Sequence, residues 1–334
     1  MVTEKQIREK LNEVLVPGAM RSLLKLNLIR EIVVLDRSVK ITLASAAINT
    51  MVQDWIIIKA KELLQMLPDV REVSIDFTEA RPAELNTVAH TFAVMSGKGG
   101  VGKSLVTSLV AIALKRRGYE VGILDADITG PSIPRIFGIT ERPSGNETGI
   151  LPVLSRSDIA VMSINLLLPT EDEAVIWRGP LISKMIKQFG EEVLWGKLDY
   201  LVIDLPPGTA DAPLTVMQSF PVSGVIIVFT PQDLVEMVVK KAVNMAKKME
   251  KPILGVVENM AYLYVAEIDK RIELFGKSKG EDMSRAVGAP LLGQLPIDPV
   301  LARLCDEGNI ESYDNEIMNA LGESLLKVIS STKS

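Results

Sequence analysis

The residue pattern best suited to chemistry is a glycine-rich loop. It reads Gly97-Lys98-Gly99-Gly100-Val101-Gly102-Lys103-Ser104 and matches G-x-x-x-x-G-K-[ST]. Glycines allow backbone N–H groups to turn inward around phosphate oxygens, and a following helix directs its positive N-terminal end toward them. Lys103 can reach the β- and γ-phosphates of a nucleotide, and the Ser104 hydroxyl can join the ligands of a Mg²⁺ ion. The loop therefore predicts a site for ATP and Mg²⁺, with Lys103 in a catalytic position.

The loop contains a second lysine, Lys98, which places a further cation beside the phosphates. Positive charge at this position stabilises phosphoryl transfer, so Lys98 is a second candidate catalytic residue. The alternative interpretation is a lysine that is simply solvated in an exposed loop.

Acidic residues follow two apolar runs. Val121–Leu124 precedes Asp125 and Asp127, and Leu201–Ile203 precedes Asp204. At the ends of parallel strands these carboxylates would face the phosphates, and Mg²⁺ prefers oxygen ligands. One aspartate at a strand end more often caps the next helix, but three at matching positions favour a site.

The elements that must position these residues form a consistent pattern from His90 onward, where short apolar runs alternate with longer helical segments. The runs are Phe92–Met95, Val121–Leu124, Leu201–Ile203, Val225–Phe229, Ile253–Val257 and Leu291–Leu295. Strands without polar alternation are covered on both faces, which predicts an α/β fold with a mainly parallel, helix-flanked sheet. Right-handed crossovers bring the C-terminal ends of such strands to one edge, where ligands bind.

The first 80 residues show a different order of elements, α-β-β-α-β, which predicts a small α+β domain. The predicted helices are Thr3–Leu15 and Met51–Leu67, and the predicted strands are Glu31–Asp36, Val39–Ala44 and Val70–Asp76. Pro82 cannot continue a neighbouring element. We therefore expect domains at 1–80 and 90–334, joined by a linker at 81–89.

Composition limits the functional classes. Lys and Arg total 37 against 42 Asp and Glu, a net charge of −5, which argues against a general electrostatic contact with nucleic acid. The longest apolar runs are far shorter than the roughly 20 residues that span a bilayer, and the N-terminus does not resemble a signal peptide. Cys305 is the single cysteine, so an intrachain disulfide is impossible. We expect a cytoplasmic protein with no nucleic-acid or membrane partner.

Several stretches beyond the loop resemble the Mrp/ApbC family of iron–sulfur cluster carrier ATPases. They are Asp125–Pro134, Trp177–Pro180, Asp199–Thr209, Thr230–Gln232, Gly255–Met260 and Pro296–Pro299. The two-lysine loop is similar to the deviant Walker A motif of the MinD/ParA/nitrogenase-iron-protein class. Residues 1–80 resemble the small iron–sulfur-assembly domain that often precedes such ATPases. The resemblance implies a P-loop NTPase fold and a role in iron–sulfur cluster assembly or transfer to client proteins.

The resemblance also implies roles for individual residues. Lys98 would reach the nucleotide of the partner subunit in a homodimer that encloses ATP. Asp204 would hold Mg²⁺, Asp125 would support the ion, and Asp127 would orient the attacking water. Adenine would contact Asn259 and the segment that contains Pro296 and Asp298; the alternatives are a strand-end turn and a helix start.

One departure from the family follows Met260. Cluster-carrying members have Cys-x-x-Cys a few residues later, whereas this chain has no cysteine in that stretch. Its polar side chains are Tyr262, Tyr264, Glu267 and Asp269. We interpret Cys305 as a small buried or half-buried helix residue. Since an iron–sulfur cluster needs thiolates, ideally four, we predict no iron–sulfur ligands in this chain.

Three functions therefore stay open at this point. The first is a slowly hydrolysing dimeric ATPase of the Mrp type. The second is a scaffold that uses ATP only to dimerise, including with a cysteine-bearing paralogue. The third is a MinD/ParA-like positioning ATPase, against which Gly130-Pro131-Ser132 and the N-terminal domain speak.

Overall fold

The computed structural model describes residues 2–128, 130–168, 179–208, 211–232, 235–265 and 268–331. Five residues of the stretches named above lie outside these ranges: Thr129, Trp177, Arg178, Thr209 and Glu267. The chain divides into two compact units. The first contains Met1–Ala89, Glu141–Leu154 and Gln188–Asp199, and the second contains His90–Thr140, Ser155–Lys187 and Tyr200–Ser334. This division differs from the predicted domains because the first unit includes two segments from beyond residue 90.

The described residues form helices and strands that alternate through most of the chain. In chain order they are α1 (Glu4–Leu11), β1 (Leu15–Val16), β2 (Arg21–Ser22), β3 (Ile29–Leu35), β4 (Ser38–Ala44), α2 (Thr50–Gln65), β5 (Glu72–Thr78), α3 (Pro82–Leu85), β6 (Thr87–Ser96), α4 (Lys103–Lys115), β7 (Val121–Asp125), α5 (Ile133–Phe137), β8 (Ser144–Asn146), β9 (Gly149–Leu151), β10 (Val153–Leu154), β11 (Ala160–Ser163), α6 (Gly179–Glu192), β12 (Lys197–Asp204), α7 (Asp211–Ser219), β13 (Gly224–Phe229), α8 (Val235–Lys248), β14 (Ile253–Glu258), β15 (Leu263–Val265), β16 (Lys270–Ile272), α9 (Gly280–Val287), β17 (Leu291–Gln294), α10 (Pro299–Asp306) and α11 (Glu316–Ser331). Short 3₁₀ helices cover Ile164–Leu167 and Ile310–Ser312. None of the described helices is both long and apolar enough to cross a membrane.

The first unit contains the predicted α-β-β-α-β order. β3 and β4 pair antiparallel, and β5 pairs parallel to β4. Helix α1 begins at a capping box in which Thr3 and Gln6 bond reciprocally. It ends at Leu11 and not at Leu15 as predicted, because Leu15 pairs in the short β1–β2 ladder that the sequence analysis missed.

The segment predicted as a linker is structured. Pro82 begins helix α3, and Thr87 begins strand β6. Proline suits the first turn of a helix because the N–H that it lacks has no partner inside the helix. Pro82 and Leu85 are both buried, so the proline that indicated a break marks a helix start.

Long-range bonds explain why residues 188–199 belong to the first unit. Arg21 is buried and donates to the backbone oxygens of Trp195, at 2.7 Å, and Lys197, at 3.1 Å. The Thr87 N–H donates to the Gly196 carbonyl at 2.8 Å.

The second unit is built on a parallel sheet in the order β11-β7-β12-β6-β13-β14-β17. Each predicted apolar run is a strand of this sheet. The sequence analysis missed β11, although its apolar residues Ala160–Met162 form a run as long as Leu201–Ile203. Strands β7 and β13 are buried at every residue, as expected for a sheet covered on both faces.

The register brings the predicted site residues to one edge of this sheet. Asp125 at the end of β7 lies opposite Asp204 on β12 and Ser163 on β11. Ser96, which ends β6 directly before the glycine loop, lies opposite Val228 on β13. The loop and the carboxylates therefore leave neighbouring strands at the same edge.

Candidate nucleotide-binding site

The glycine loop joins β6 to the N-terminus of α4 and requires glycine at specific positions. Gly100 and Gly102 have φ angles of 79° and 81°, in the left-handed region that glycine adopts readily. A Cβ atom on Gly102 would also collide with the side-chain amide of Asn259. That amide donates to the Val101 carbonyl at 2.9 Å. Asn259, predicted as an adenine contact, is thus in place against the loop backbone.

A cavity of about 450 Å³ lies over this loop. Residues 98–105 form one side of it, and Asp127, Ser132 and Pro207 are among the other lining residues. Nothing approaches within 4 Å of a Cβ placed on Gly99 or Gly100. The loop backbone is therefore open to a ligand on the cavity side.

Lys103 is 6% exposed, and its ammonium faces two carboxylates. Its Nζ donates to Asp204 Oδ1 at 2.7 Å and lies 3.6 Å from Asp127 Oδ2. Ser104 Oγ donates to the other oxygen of Asp204, Oδ2, at 2.5 Å. The structure thus brings together four of the predicted site residues, with one cation among two carboxylates and a hydroxyl.

Thr107 completes the surroundings of Asp204 and was missed by the sequence analysis. It lies one turn beyond Lys103 on α4 and is fully buried. Its single hydroxyl proton is shared between Asp204 Oδ1, at 2.9 Å, and the Lys103 carbonyl, at 3.1 Å. The sequence did offer a signal for Thr107, because it is a hydroxyl residue four positions after the loop lysine in an otherwise apolar helix.

Asp125 is fully buried behind these groups. Its Oδ1 accepts from the Asp127 N–H, and its Oδ2 accepts from the Ile133 N–H and the Ser163 hydroxyl, each at 3.2 Å. Burial, and then the negative charge of Asp204, raise the pKa of Asp125 to about 8, although Lys103 opposes the shift. Asp125 can therefore hold a proton near neutral pH. Ser163 was missed because its strand, β11, was missed.

The second loop lysine has a different kind of partner. Lys98 lines the cavity, and its Nζ donates to Oε1 of Gln232 at 2.5 Å. Gln232 belongs to the stretch Thr230–Gln232 that resembles the family, but the sequence predicted no role for it.

The predicted base-contact segment lines a second cavity, of about 680 Å³. Pro296 and Asp298 border it together with Tyr262, Arg271 and other residues. The Asp298 carboxylate caps the N-terminus of α10, where it accepts hydrogen bonds from the Val300 N–H at 2.8 Å and the Leu301 N–H at 3.2 Å. It also accepts a hydrogen bond from the Tyr313 hydroxyl at 2.9 Å.

Helix α10 connects the two cavities. Pro299 at its first turn borders the larger cavity, while Ala302, Cys305 and Asp306 border the cavity over the loop. Because an α-helix rises 1.5 Å per residue, Pro299 and Asp306 are about 10 Å apart along the axis. Pro296 and Asp298 thus border the larger cavity, and helix α10 lines both cavities.

The segment after Met260 contains the antiparallel pair β15–β16. The Arg271 guanidinium lies 4.5 Å from the centre of the Tyr262 ring, and the Tyr264 hydroxyl donates to Asp269 at 2.7 Å. Within the described ranges, no group of three or more His, Cys, Asp or Glu side chains is placed to hold a metal ion.

Cys305 is half-buried on α10, as its interpretation as a helix packing residue anticipated. Burial, assisted by the neighbouring Asp306, raises the pKa of the Cys305 thiol to about 11. Its position against the cavity over the loop was not anticipated, because that position depends on how α10 packs in the tertiary structure.

Comparison with known proteins identifies relatives of this chain. A family model described as NUBPL iron-transfer P-loop NTPase, in the ParA group, matches residues 87–330. The iron-sulfur cluster carrier protein of Clostridium perfringens is 45% identical over 258 residues, which cover 73% of this chain and 90% of that protein. The protein of the same name from Synechocystis is 35% identical over 324 residues, 92% of this chain and 91% of that protein.

A solved structure is also similar. The nucleotide-binding protein from Archaeoglobus fulgidus, in complex with ADP, is 46% identical and superposes with a TM-score of 0.62. The match covers 68% of this chain and 90% of that one.

Proposed function

The chain belongs to the family of NUBPL iron-transfer P-loop NTPases, and from this membership we propose that it binds Mg-ATP, hydrolyses it slowly, and acts in iron–sulfur cluster assembly or transfer. The observation that carries the proposal is the group beneath the glycine loop. There Lys103 and Ser104, which line the cavity over the loop, both donate to the buried Asp204 carboxylate.

Phosphate binding follows from the loop and the helix behind it. The backbone of Gly97–Ser104 can direct N–H groups at phosphate oxygens, and the N-terminus of α4 adds a positive dipole. Lys103 is held by Asp204 and Asp127 within reach of the cavity. Its ammonium would exchange part of this pairing for the β- and γ-phosphates.

The residues fit a Mg²⁺ ion. The Ser104 hydroxyl and the Asp204 carboxylate are hard oxygen donors in direct contact, and Mg²⁺ binds through oxygen. Ser104 and Asp204 would hold the ion, and the buried Asp125, opposite Asp204 on the neighbouring strand, would support it. When bound, the ion neutralises charge on the phosphates.

Asp127 is the proposed group that orients the attacking water. It lines the cavity, and its Oδ2 lies 3.6 Å from Lys103 Nζ. A carboxylate at this position can accept a proton from a water molecule directed at the terminal phosphate.

For adenine we propose Asn259, Pro296 and Asp298 as contacts. Asn259 already touches the loop at Val101. Helix α10, which begins at Pro299, borders both the loop cavity and the larger cavity beside Pro296 and Asp298. A nucleotide whose phosphates occupy the loop cavity could extend along this helix.

The assembly we propose is a homodimer across the nucleotide, in which Lys98 contacts the phosphates bound by the partner subunit. Lys98 supports this because it borders the cavity and is partly exposed. Residues 1–80 would serve as an iron–sulfur-assembly-type domain ahead of the ATPase domain at 90–334. The proposed location of the protein is the cytoplasm.

An iron–sulfur cluster would be cargo in this function. The segment after Met260 offers Tyr262, Tyr264 and Asp269 among its described residues, and these are oxygen donors that suit a cluster poorly. This observation favours a second candidate, an ATP-dependent scaffold that assists client proteins or a cysteine-bearing paralogue without ligating a cluster itself.

Calorimetry with ATP, with and without Mg²⁺, tests the proposal. We expect Mg²⁺-dependent binding that Lys103→Ala abolishes and that Lys187→Ala, at an exposed lysine of α6, leaves intact. Asp127→Ala should preserve binding and remove phosphate release. Unchanged ATP affinity in Lys103→Ala would overturn the assignment of the site. Tight binding without any turnover would favour the scaffold.

A further inference from the structure

We infer that Gln232 is a positioning residue for Lys98. Its side-chain oxygen holds the Lys98 ammonium over the loop of the same subunit and releases it to the phosphates. The inference rests on the proposed function, since it concerns how ATP is used. Its starting observation is the 2.5 Å bond from Lys98 Nζ to Gln232 Oε1.

Backbone register brings the two residues together. Lys98 lies two positions after Ser96 on β6, and Gln232 lies four positions after Val228 on β13, and these strand residues are paired. The Lys98 carbonyl accepts from the Ser96 hydroxyl at 2.9 Å, which fixes the start of the loop. The two side chains therefore leave adjacent strands at the same edge of the sheet, so their contact follows from the fold.

The chemistry of the bond suits exchange. Lys103 is held by two carboxylates in a buried setting, whereas Lys98 is partly exposed and bonds to a neutral amide oxygen. An amide keeps the ammonium in one place but attracts it less strongly than an anionic phosphate does. Gln232 can therefore order Lys98 without competing against ATP.

Gln232 lies between strand β13 and helix α8 in the sequence. Helix α8 begins at Val235, three residues after Gln232. Two residues before Gln232, the hydroxyl of Thr230 is buried with no hydrogen-bond partner among the described residues. An unpaired buried hydroxyl is unfavourable, so this side chain adds no hydrogen bond that would hold the end of β13.

A double-mutant cycle tests the inference. Gln232→Ala and Gln232→Glu are each made in the wild-type chain and in Lys98→Ala, and kcat and KM for ATP are measured. Gln232→Glu creates an ion pair that retains Lys98, so we expect kcat to fall about tenfold while KM changes little. Gln232→Ala should lower kcat by a smaller factor. Neither substitution should have an effect when Lys98 is already alanine.

Gln218→Glu provides the matched control, because it adds the same charge at an exposed position of α7. It should leave kcat unchanged, and all variants should unfold at the wild-type temperature. The inference would be overturned if the Gln232 substitutions lowered kcat equally in the Lys98→Ala background, or if they left kcat unchanged in an otherwise wild-type chain that hydrolyses ATP. Either outcome would leave the proposed function intact. A wild-type chain that neither binds nor hydrolyses ATP would overturn the proposed function and this inference with it.

Discussion

Lys103 and Asp204 are 101 positions apart in the sequence, and their side chains meet at 2.7 Å in the interior of the second unit. Both Asp204 oxygens are also occupied by hydroxyl donors, Oδ1 by Thr107 and Oδ2 by Ser104. A buried charge is tolerated when it is paired and hydrogen-bonded in this way. The folded chain therefore maintains the charged group that the proposed ATP site requires.

Thr107→Val should destabilise the protein, because it removes a hydroxyl that donates to the buried Asp204 carboxylate. A lost bond to a buried charged group costs about 1–3 kcal/mol. Thr230→Val is the matched control, since the Thr230 hydroxyl is equally buried but has no partner among the described residues. That change should be neutral or slightly stabilising. Urea unfolding of both variants measures the difference, and equal shifts of the two midpoints would contradict the assigned role of Thr107.

The pH dependence of stability should report on Asp125. Burial and Asp204 raise its pKa from 3.8 to about 8 in the folded protein. Between these values the folded state binds a proton that the unfolded state has lost, so the free energy of unfolding should fall as pH rises from about 4 to about 8. One such group contributes at most about 1.4 kcal/mol per pH unit.

Asp125→Asn cannot titrate at this position, so its stability should decline less steeply over the same range. Urea unfolding at several pH values compares the two slopes. Asp54→Asn, at an exposed position of α2, should keep the wild-type slope. Parallel wild-type and Asp125→Asn curves would show that Asp125 is ionised in the folded protein.

The sequence predicted the parts of the structure that depend on local pattern. The glycine loop and the ends of β7 and β12 lie where they were expected, because apolar strands and a glycine-rich loop are encoded by adjacent residues. The α/β fold and the family resemblance are confirmed. The reading of Pro82 as a break was wrong, since proline also starts helices.

The parts that could not be predicted depend on tertiary contacts. Ser163 donates to Asp125 only because β11 lies beside β7, and the order of strands in a sheet does not follow from the order of the sequence. Gln232 meets Lys98 through the pairing of β13 with β6. Likewise, residues 188–199 belong to the first unit because of bonds such as that from Arg21 to Trp195. Sequence spacing contains none of these distances.

Cys305 should report on ATP binding. It lines the cavity over the loop, and its thiol pKa is raised from 9.0 to about 11. Because the thiolate is the reactive form, alkylation at pH 7 should be roughly 100-fold slower than that of an unshifted thiol. Mg-ATP should slow it further by covering the cavity. Iodoacetamide labelling followed by mass spectrometry is unambiguous here, since the chain has one cysteine.

Lys103→Ala is the control for this protection, because a variant that cannot bind ATP should be labelled at the same rate with and without nucleotide. If Mg-ATP binds the wild-type chain by calorimetry but leaves its labelling rate unchanged, the nucleotide does not occupy the cavity that Cys305 borders.

The purified chain should not assemble a stable [4Fe–4S] cluster when it is given iron and sulfide without oxygen. Cluster iron requires thiolate ligands, ideally four, and a homodimer of a chain with one cysteine has two. Cys305 lies on α10 against the loop cavity, whereas Tyr262 and Tyr264 occupy the segment after Met260. Phenol and carboxylate oxygens are hard donors that do not replace thiolates in such clusters.

Absorption near 400 nm after desalting, together with iron and sulfide analysis, measures the outcome, and ATP binding should be unaffected by the treatment. Cys305→Ser should behave as the wild type in every respect. A stoichiometric cluster that survives desalting in the wild type and disappears in Cys305→Ser would contradict the prediction, because it would require two copies of α10 to present their thiols to one cluster. A cluster that survives in both proteins would instead show that oxygen ligands of this chain are sufficient.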